Sequence, residues 1–363
     1  MKLAFQTSPY IRKNASVSRM MLDVIIALLP LTVFAIIQNG MGALSVILIS
    51  IGVMLASELV SNLLIKWPKG LKFKEMFSKD GFQKVAKCFT INNFLAPILS
   101  GLIYAMILPA HCNWYVVLIG ALFGMVIGKM VFGGLGQNIF NPAATGRAFV
   151  AICFGPQIAQ AYQLQVTYDA TASATPLATN MSASNYSLIN LFLGNVPGSM
   201  GEVSALLILV GAIYLFARRS ADIRVFISFV LSFMALSLVA VLAGFGKYDG
   251  SNYFDLWLYQ ILSGGMLFGA VFMLTDPVTS PVTKYGRLLY GAIAGGLVVL
   301  IRISGALPEG VVFSILVVNM LTPLIDYLMR GKKEYPWQGL LLILGYLIIM
   351  GVIISSSVMG GWF

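Results

Sequence analysis

Met20-Met-Leu-Asp-Val-Ile-Ile-Ala-Leu-Leu-Pro-Leu-Thr-Val-Phe-Ala-Ile-Ile-Gln38, followed after Asn39 and Gly40 by a second apolar run over 41–64, decides the fold class. A lipid-spanning helix needs about 20 mostly apolar residues, and here two such runs stand back to back with a glycine between them. Similar runs recur over 89–109, 114–134, 147–163, 201–217, 225–244, 255–274, 287–303, 309–329 and 337–357. The reading is all-α: a polytopic bundle of ten or eleven transmembrane helices. The short 147–163 and 287–303 runs are candidates for tilted, broken or re-entrant helices.

Composition agrees. Of 363 residues, 59% are hydrophobic and 10% charged, and the mean hydropathy is +0.89, which leaves too little polar surface to cover a soluble globule. One transmembrane domain over 1–363 is expected, with a polar tail at 1–19 and lipid around its waist. The formal charge of +10 does not point to nucleic acid, because the basic residues sit in short connections between apolar runs. Cys88, Cys112 and Cys153 are scattered and His111 is the single histidine, so no metal site is expected. The tail lacks a signal peptide's cleavage pattern, which makes the first helix an uncleaved anchor.

Alternating crossings assign each connection to a side, and the basic residues then divide unevenly. With the N-terminus cytoplasmic, that side collects the tail cations, seven lysines of the 65–88 connection, and Lys129, Arg147, Arg218, Arg219, Arg224, Lys284, Arg287, Arg330, Lys332 and Lys333. Only Lys247 and Arg302 of the 23 Lys and Arg fall outside.

On the outer face this topology places a long connection over 164–200. Its centre reads Asp169-Ala-Thr-Ala-Ser-Ala-Thr-Pro-Leu-Ala-Thr179, where Pro176 breaks any helix and alanines leave the Thr175 hydroxyl accessible to a modifying enzyme. An ordinary solvated loop accounts for the same residues. Two irregular segments fall on the cytoplasmic face. In Gly133-Gly-Leu-Gly-Gln-Asn-Ile-Phe-Asn-Pro-Ala-Ala-Thr-Gly-Arg147, the amides of Asn138 and Asn141 could read the edge of a neutral heteroaromatic ring; a turn capping the next helix is the plainer account. The other, Leu274-Thr-Asp-Pro-Val-Thr-Ser-Pro-Val-Thr-Lys-Tyr-Gly-Arg287, echoes it faintly. Asp23, Glu58, Glu202, Glu309 and Asp326 lie near predicted helix ends. There they could serve an ion path, with Asp23, Glu58 and Glu202 the first candidates, or simply cap helices.

Several segments taken in order resemble the family of Rnf complex D subunits: Ser8-Pro-Tyr-Ile-Arg, Met20 to Pro30, Phe140-Asn-Pro-Ala-Ala-Thr-Gly-Arg-Ala-Phe149, Thr275-Asp-Pro-Val-Thr-Ser-Pro281, and Leu307 to Leu316 running on to Asn319 and Asp326. The B subunit of the sodium-pumping NADH:quinone oxidoreductase is similar too. The resemblance implies FMN joined through its phosphate to a threonine of the outer loop. Asp169 and Thr175 keep that motif's spacing of six, while Ala172 and Ser173 depart from it and leave Thr171 and Ser173 as alternatives. It also implies a non-covalent riboflavin beside Asn138, Asn141 and Pro142, a urea-channel-like architecture, and a place in the bacterial inner membrane. Implied partners are the A, B, C, E and G subunits of the Rnf complex and, during maturation, a flavin transferase. The implied activity is electron transfer between ferredoxin and NAD coupled to Na⁺ or H⁺ translocation, in which this chain is not catalytic alone. A solute channel or secondary transporter is the rival reading, and a structural scaffold a third.

Overall fold

The computed structural model describes residues 17–65, 89–164, 187–245, 252–263, 265–303, 310–329 and 336–360. Among these all regular structure is helical, with no strand. The order is α1 (Val17–Ile65), α2 (Asn92–Met106), α3 (Trp114–Met130), α4 (Pro142–Cys153), α5 (Gly155–Gln163), α6 (Leu188–Leu193) and α7 (Ala205–Arg218). Then follow α8 (Ile223–Leu242), α9 (Tyr253–Leu262), α10 (Met266–Met273), α11 (Lys284–Ile303), α12 (Val311–Met329) and α13 (Pro336–Met359).

α1 runs for 49 residues, too long for one crossing, and Gly40 divides it. Its backbone takes φ +60°, ψ −136°, a conformation only glycine adopts without strain, so the two runs become two spans. α8, α11, α12 and the Gly339–Met359 stretch of α13 are also long and apolar enough to cross a membrane. α9 and α10, bent by 50° at their junction, make a further candidate. Every run expected from the sequence is helical among the described residues, so the polytopic helical bundle stands.

Polar side chains set the starts. Asn141, Ser204, Asp222 and Asn252 each accept a backbone N–H of the first turn that has no partner within the helix. Asn141 starts α4 at Pro142, ahead of the expected 147, because proline suits the first helical position. The expected run over 147–163 is two helices, broken where Pro156 follows Gly155. The outer connection also differs from expectation. Leu188–Leu193 forms a helix, Leu191 packs with Val196, Val203 and Tyr259, and the chain is built inward before α7 begins.

Packing is close at several glycines. A Cβ on Gly146 of α4 would lie 2.6 Å from the Gly120 carbonyl of α3; one on Gly291 of α11 would lie 2.6 Å from the Val225 carbonyl of α8. One on Gly101 of α2 would lie 2.8 Å from the Cα of Ile51 in α1. Lipid gives helices little hydrophobic reason to associate, so such backbone approach supplies the dispersion contact that holds them.

Gly291→Ala should therefore cost about 1–3 kcal/mol through overpacking. Gly52→Ala, with nothing within 4 Å of the added carbon, should be neutral or slightly stabilising. Thermal unfolding of the two variants in detergent checks the contrast.

Candidate functional site

Both irregular segments begin with a π turn. α3 ends in Val126–Met130 and α10 in Gly269–Met273, each closed by wide hydrogen bonds such as Val131 N–H to the Val126 carbonyl and Leu274 N–H to the Gly269 carbonyl. π turns bulge the backbone and re-aim the side chains that follow. After the first, the turn 131–140 carries Gly133, Gly134 and Gly136 with φ of +115°, +89° and +84°. Gly136 is exposed and a Cβ on it would meet nothing within 4 Å, while Phe132 and Phe140 lie edge to face at 6.0 Å in the same turn.

Asn138 and Asn141 are both buried. Asn138 donates to the Phe140 carbonyl at 3.0 Å, and among the described residues no protein donor reaches its side-chain oxygen. The Asn141 oxygen accepts Ala143 N–H at 3.0 Å and Ala144 N–H at 3.4 Å, capping α4, while its amide nitrogen reaches the Met273 carbonyl at 3.5 Å. The capping account thus holds for Asn141, which also ties the two π turns together. Pro142 is buried at the first position of α4. Asn138 thus keeps acceptor capacity beside a turn of left-handed glycines, the kind of group that the N–H edge of a neutral heteroaromatic ring would need.

A charge cluster adjoins this seam. Lys129, in the first π turn, pairs with Glu58 of α1 at 2.5 Å, both buried. Asp276, in the turn after the second, is close enough for the lysine to act on it. Burial pushes the Asp276 carboxyl above the usual carboxylate range, opposed by the Val278 N–H and the Lys129 charge. Lys129 was expected among the cytoplasmic loop cations, but the structure buries it. An ammonium so far from water needs a carboxylate, and Glu58 supplies one.

The same correction applies to Arg147, also counted as a loop cation, and to Arg302, counted outside. Arg147 is buried; it donates to the Ile107 carbonyl at 2.9 Å and to the Tyr162 hydroxyl at 3.2 Å, and Tyr162 contacts Ser199 at 2.7 Å. Arg302, buried as well, donates to the Gln260 carbonyl at 2.6 Å and to the Ser263 carbonyl at 3.0 Å. Each arginine caps a helix that stops inside the protein, α2 and α9 respectively, where water is absent and the dipole favours a cation. Met200 N–H and Gly201 N–H complete the α2 end on the Leu108 and Met106 carbonyls.

The remaining candidates are dispersed. Asp23 is buried in α1 and ties it to α7 through Tyr214 and Arg218, with Ser220 beyond. Glu202, half-buried, lies against Gly265 at the break between α9 and α10. Asp326 accepts the Val282 N–H at 3.1 Å and braces the second irregular turn. Glu309, Asp169, Thr175 and the alternatives Thr171 and Ser173 lie outside the described residues.

Comparison with known proteins bears on this arrangement. Residues 4–334 match the family described as NQR2, RnfD, RnfE. The chain belongs to that family. Among its relatives, the D subunit of the Na(+)-translocating ferredoxin:NAD(+) oxidoreductase complex of Acetobacterium woodii is 33% identical over 339 residues, 92% of this chain and 95% of that one. The D subunit of the proton-translocating counterpart from Clostridium ljungdahlii is 33% identical over 341 residues, 90% and 94% of the two chains. The B subunit of the Na(+)-translocating NADH-quinone reductase of Chromohalobacter salexigens is 40% identical over 237 residues, 63% of this chain, which spans only 57% of that longer protein.

Glu58→Gln should leave the Lys129 ammonium buried without a counter-charge and cost about 3–5 kcal/mol, whereas Glu58→Leu with Lys129→Met should recover most of the loss. Unfolding of the single and double variants measures the coupling.

Proposed function

We infer that this chain is the D subunit of an Rnf-type complex, a membrane part of a redox-driven ion translocase moving electrons between ferredoxin and NAD. The observation that carries the reading is coverage: the D-subunit relatives of Acetobacterium woodii and Clostridium ljungdahlii align over nine tenths or more of both chains, while the quinone-reductase relative aligns over little more than half its own length.

The finer assignment is that the chain carries flavin. FMN is esterified to Thr175, with Asp169 in the segment that the flavin transferase reads and the loop outside the cytoplasm. Riboflavin sits in the seam of the two π turns. A flavin takes two electrons together and passes them singly, which suits a relay between unlike carriers. The protein's own residues would do the holding: Asn138 offers its free amide oxygen to a ring N–H, the glycine turn admits the flat ring, and Asn141 fixes the seam. The lysines of the 65–88 connection and the basic tail support a cytoplasmic N-terminus even with Lys129 and Arg147 removed from the tally. The A, B, C, E and G subunits complete the electron path.

Coexpressed with its flavin transferase, the chain should keep flavin fluorescence through denaturing electrophoresis, and Thr175→Val should abolish it. Fluorescence that survives in Thr175→Val moves the ester to Thr171 or Ser173. A wild-type band without fluorescence removes the covalent flavin from the account.

A further inference from the structure

At the end of the bundle that holds the start of α1, the ends of α1, α7 and α8 and the turn before α11 surround a cavity of about 510 Å³. Three guanidinium groups line it, those of Arg219, Arg224 and Arg287, against one carboxylate, Asp222. Asp222 is already engaged. It pairs with Arg287, whose Nε donates to the Pro281 carbonyl at 2.8 Å, and it caps α8 through the Arg224 N–H at 2.9 Å. The Arg219 and Arg224 side chains are exposed and meet no carboxylate among the described residues. The N-terminus of α8, a 20-residue helix, opens on the same space and adds the positive end of its dipole.

The backbone supplies an independent observation. Arg219 has φ +59° and is the one non-glycine in the left-handed region among the described residues. It closes α7, with its N–H on the Phe216 carbonyl and the Ser220 N–H on the Leu215 carbonyl, a position that glycine fills without strain. Here the chain places a cation at the cavity mouth in a backbone conformation that favours glycine.

The rim fixes the setting. Ile223 and Val282 are exposed beside the cavity, and the outward face of α8 continues into Ile227 and Leu231, so the arginines stand at the edge of the apolar belt. We propose that this cavity is a binding site for a phosphate group, with the Arg219 and Arg224 guanidiniums on the phosphate oxygens and Ser280 at the base. Planar guanidiniums suit phosphate, and basic pockets between membrane helices at headgroup depth suit an anionic phospholipid. The source is a phosphodiester headgroup or free phosphate.

The test uses the full-length chain, delipidated in neutral detergent, with dioleoyl-phosphatidylglycerol, dioleoyl-phosphatidylcholine and inorganic phosphate as probes. Native mass spectrometry reads retained lipid, and thermal unfolding reads stabilisation. Phosphatidylglycerol should be retained in preference to phosphatidylcholine, and each arginine removed should weaken that preference roughly five-fold. Arg219→Gly is the informative variant, because it relieves the backbone: its melting temperature without anion should equal or exceed wild type while the anion-induced rise shrinks. Arg224→Gln should also lose affinity. A preference that millimolar inorganic phosphate does not displace assigns the site to lipid; stabilisation by inorganic phosphate alone, lost in both variants, assigns it to the free ion. Equal retention of the two lipids with no effect of phosphate overturns the proposal. So does an anion effect unchanged in the variants, or burial of the cavity by a neighbouring protein in the assembled complex.

Discussion

A helix that stops inside a membrane protein leaves carbonyls that water cannot reach, and the rest of this structure depends on how those carbonyls are paired. α2 stops at Met106 and α9 at Leu262. Arg147 and Arg302 cross from neighbouring elements to cap them, and the Met200 and Gly201 amides return from the stretch before α7 to share the α2 end. The end of the 164–200 connection is thereby tied to the interior. Ser199, just ahead of those amides, is tied to α2 through Tyr162 and Arg147.

The two π turns pose the same constraint more gently. Each widens its hydrogen bonds and then releases the chain into an irregular turn, which lipid would not tolerate but a protein interior does. Asn141 spans the gap between them, and Glu58, Lys129 and Asp276 gather alongside. A polar seam thus runs through an otherwise apolar bundle, held together by glycine contacts that bring α3 against α4 and α8 against α11. Lys129 with Glu58 and Asn141 with Ala143 and Met273 pair within the seam, while the Asn138 oxygen keeps acceptor capacity.

Much of the fold was legible. Among the described residues, apolar length alone located each helix long enough to cross a membrane, and Gly40 marked the break in the first; it also read 147–163 as one run where the chain forms two short helices. Boundaries drifted where a cap acted at close range: Asn141 and Pro142 moved the start of α4 ahead of the apolar run. The site was legible only in its residue types. Gly, Asn and Pro over 133–142 identified an irregular turn, but nothing in their spacing says that Asn141 reaches Met273, 132 residues away in the chain. Lys129, Arg147 and Arg302 misled because charge was taken as a mark of water. Lys129 lies between Gly128 and Met130 in an apolar run, and that neighbourhood was the available signal that it would be buried and paired. The outer connection looked like loop throughout because Leu188–Leu193 is too short to register as a helix by periodicity.

In the proposed function, electrons crossing the complex reach the membrane by way of this chain. The direct measurement is the transmembrane potential formed by vesicles oxidising reduced ferredoxin with NAD, with the chain deleted and then restored. Loss of the potential on deletion and its return with the wild-type chain is the predicted result. A potential formed at the wild-type rate without the chain would contradict the account.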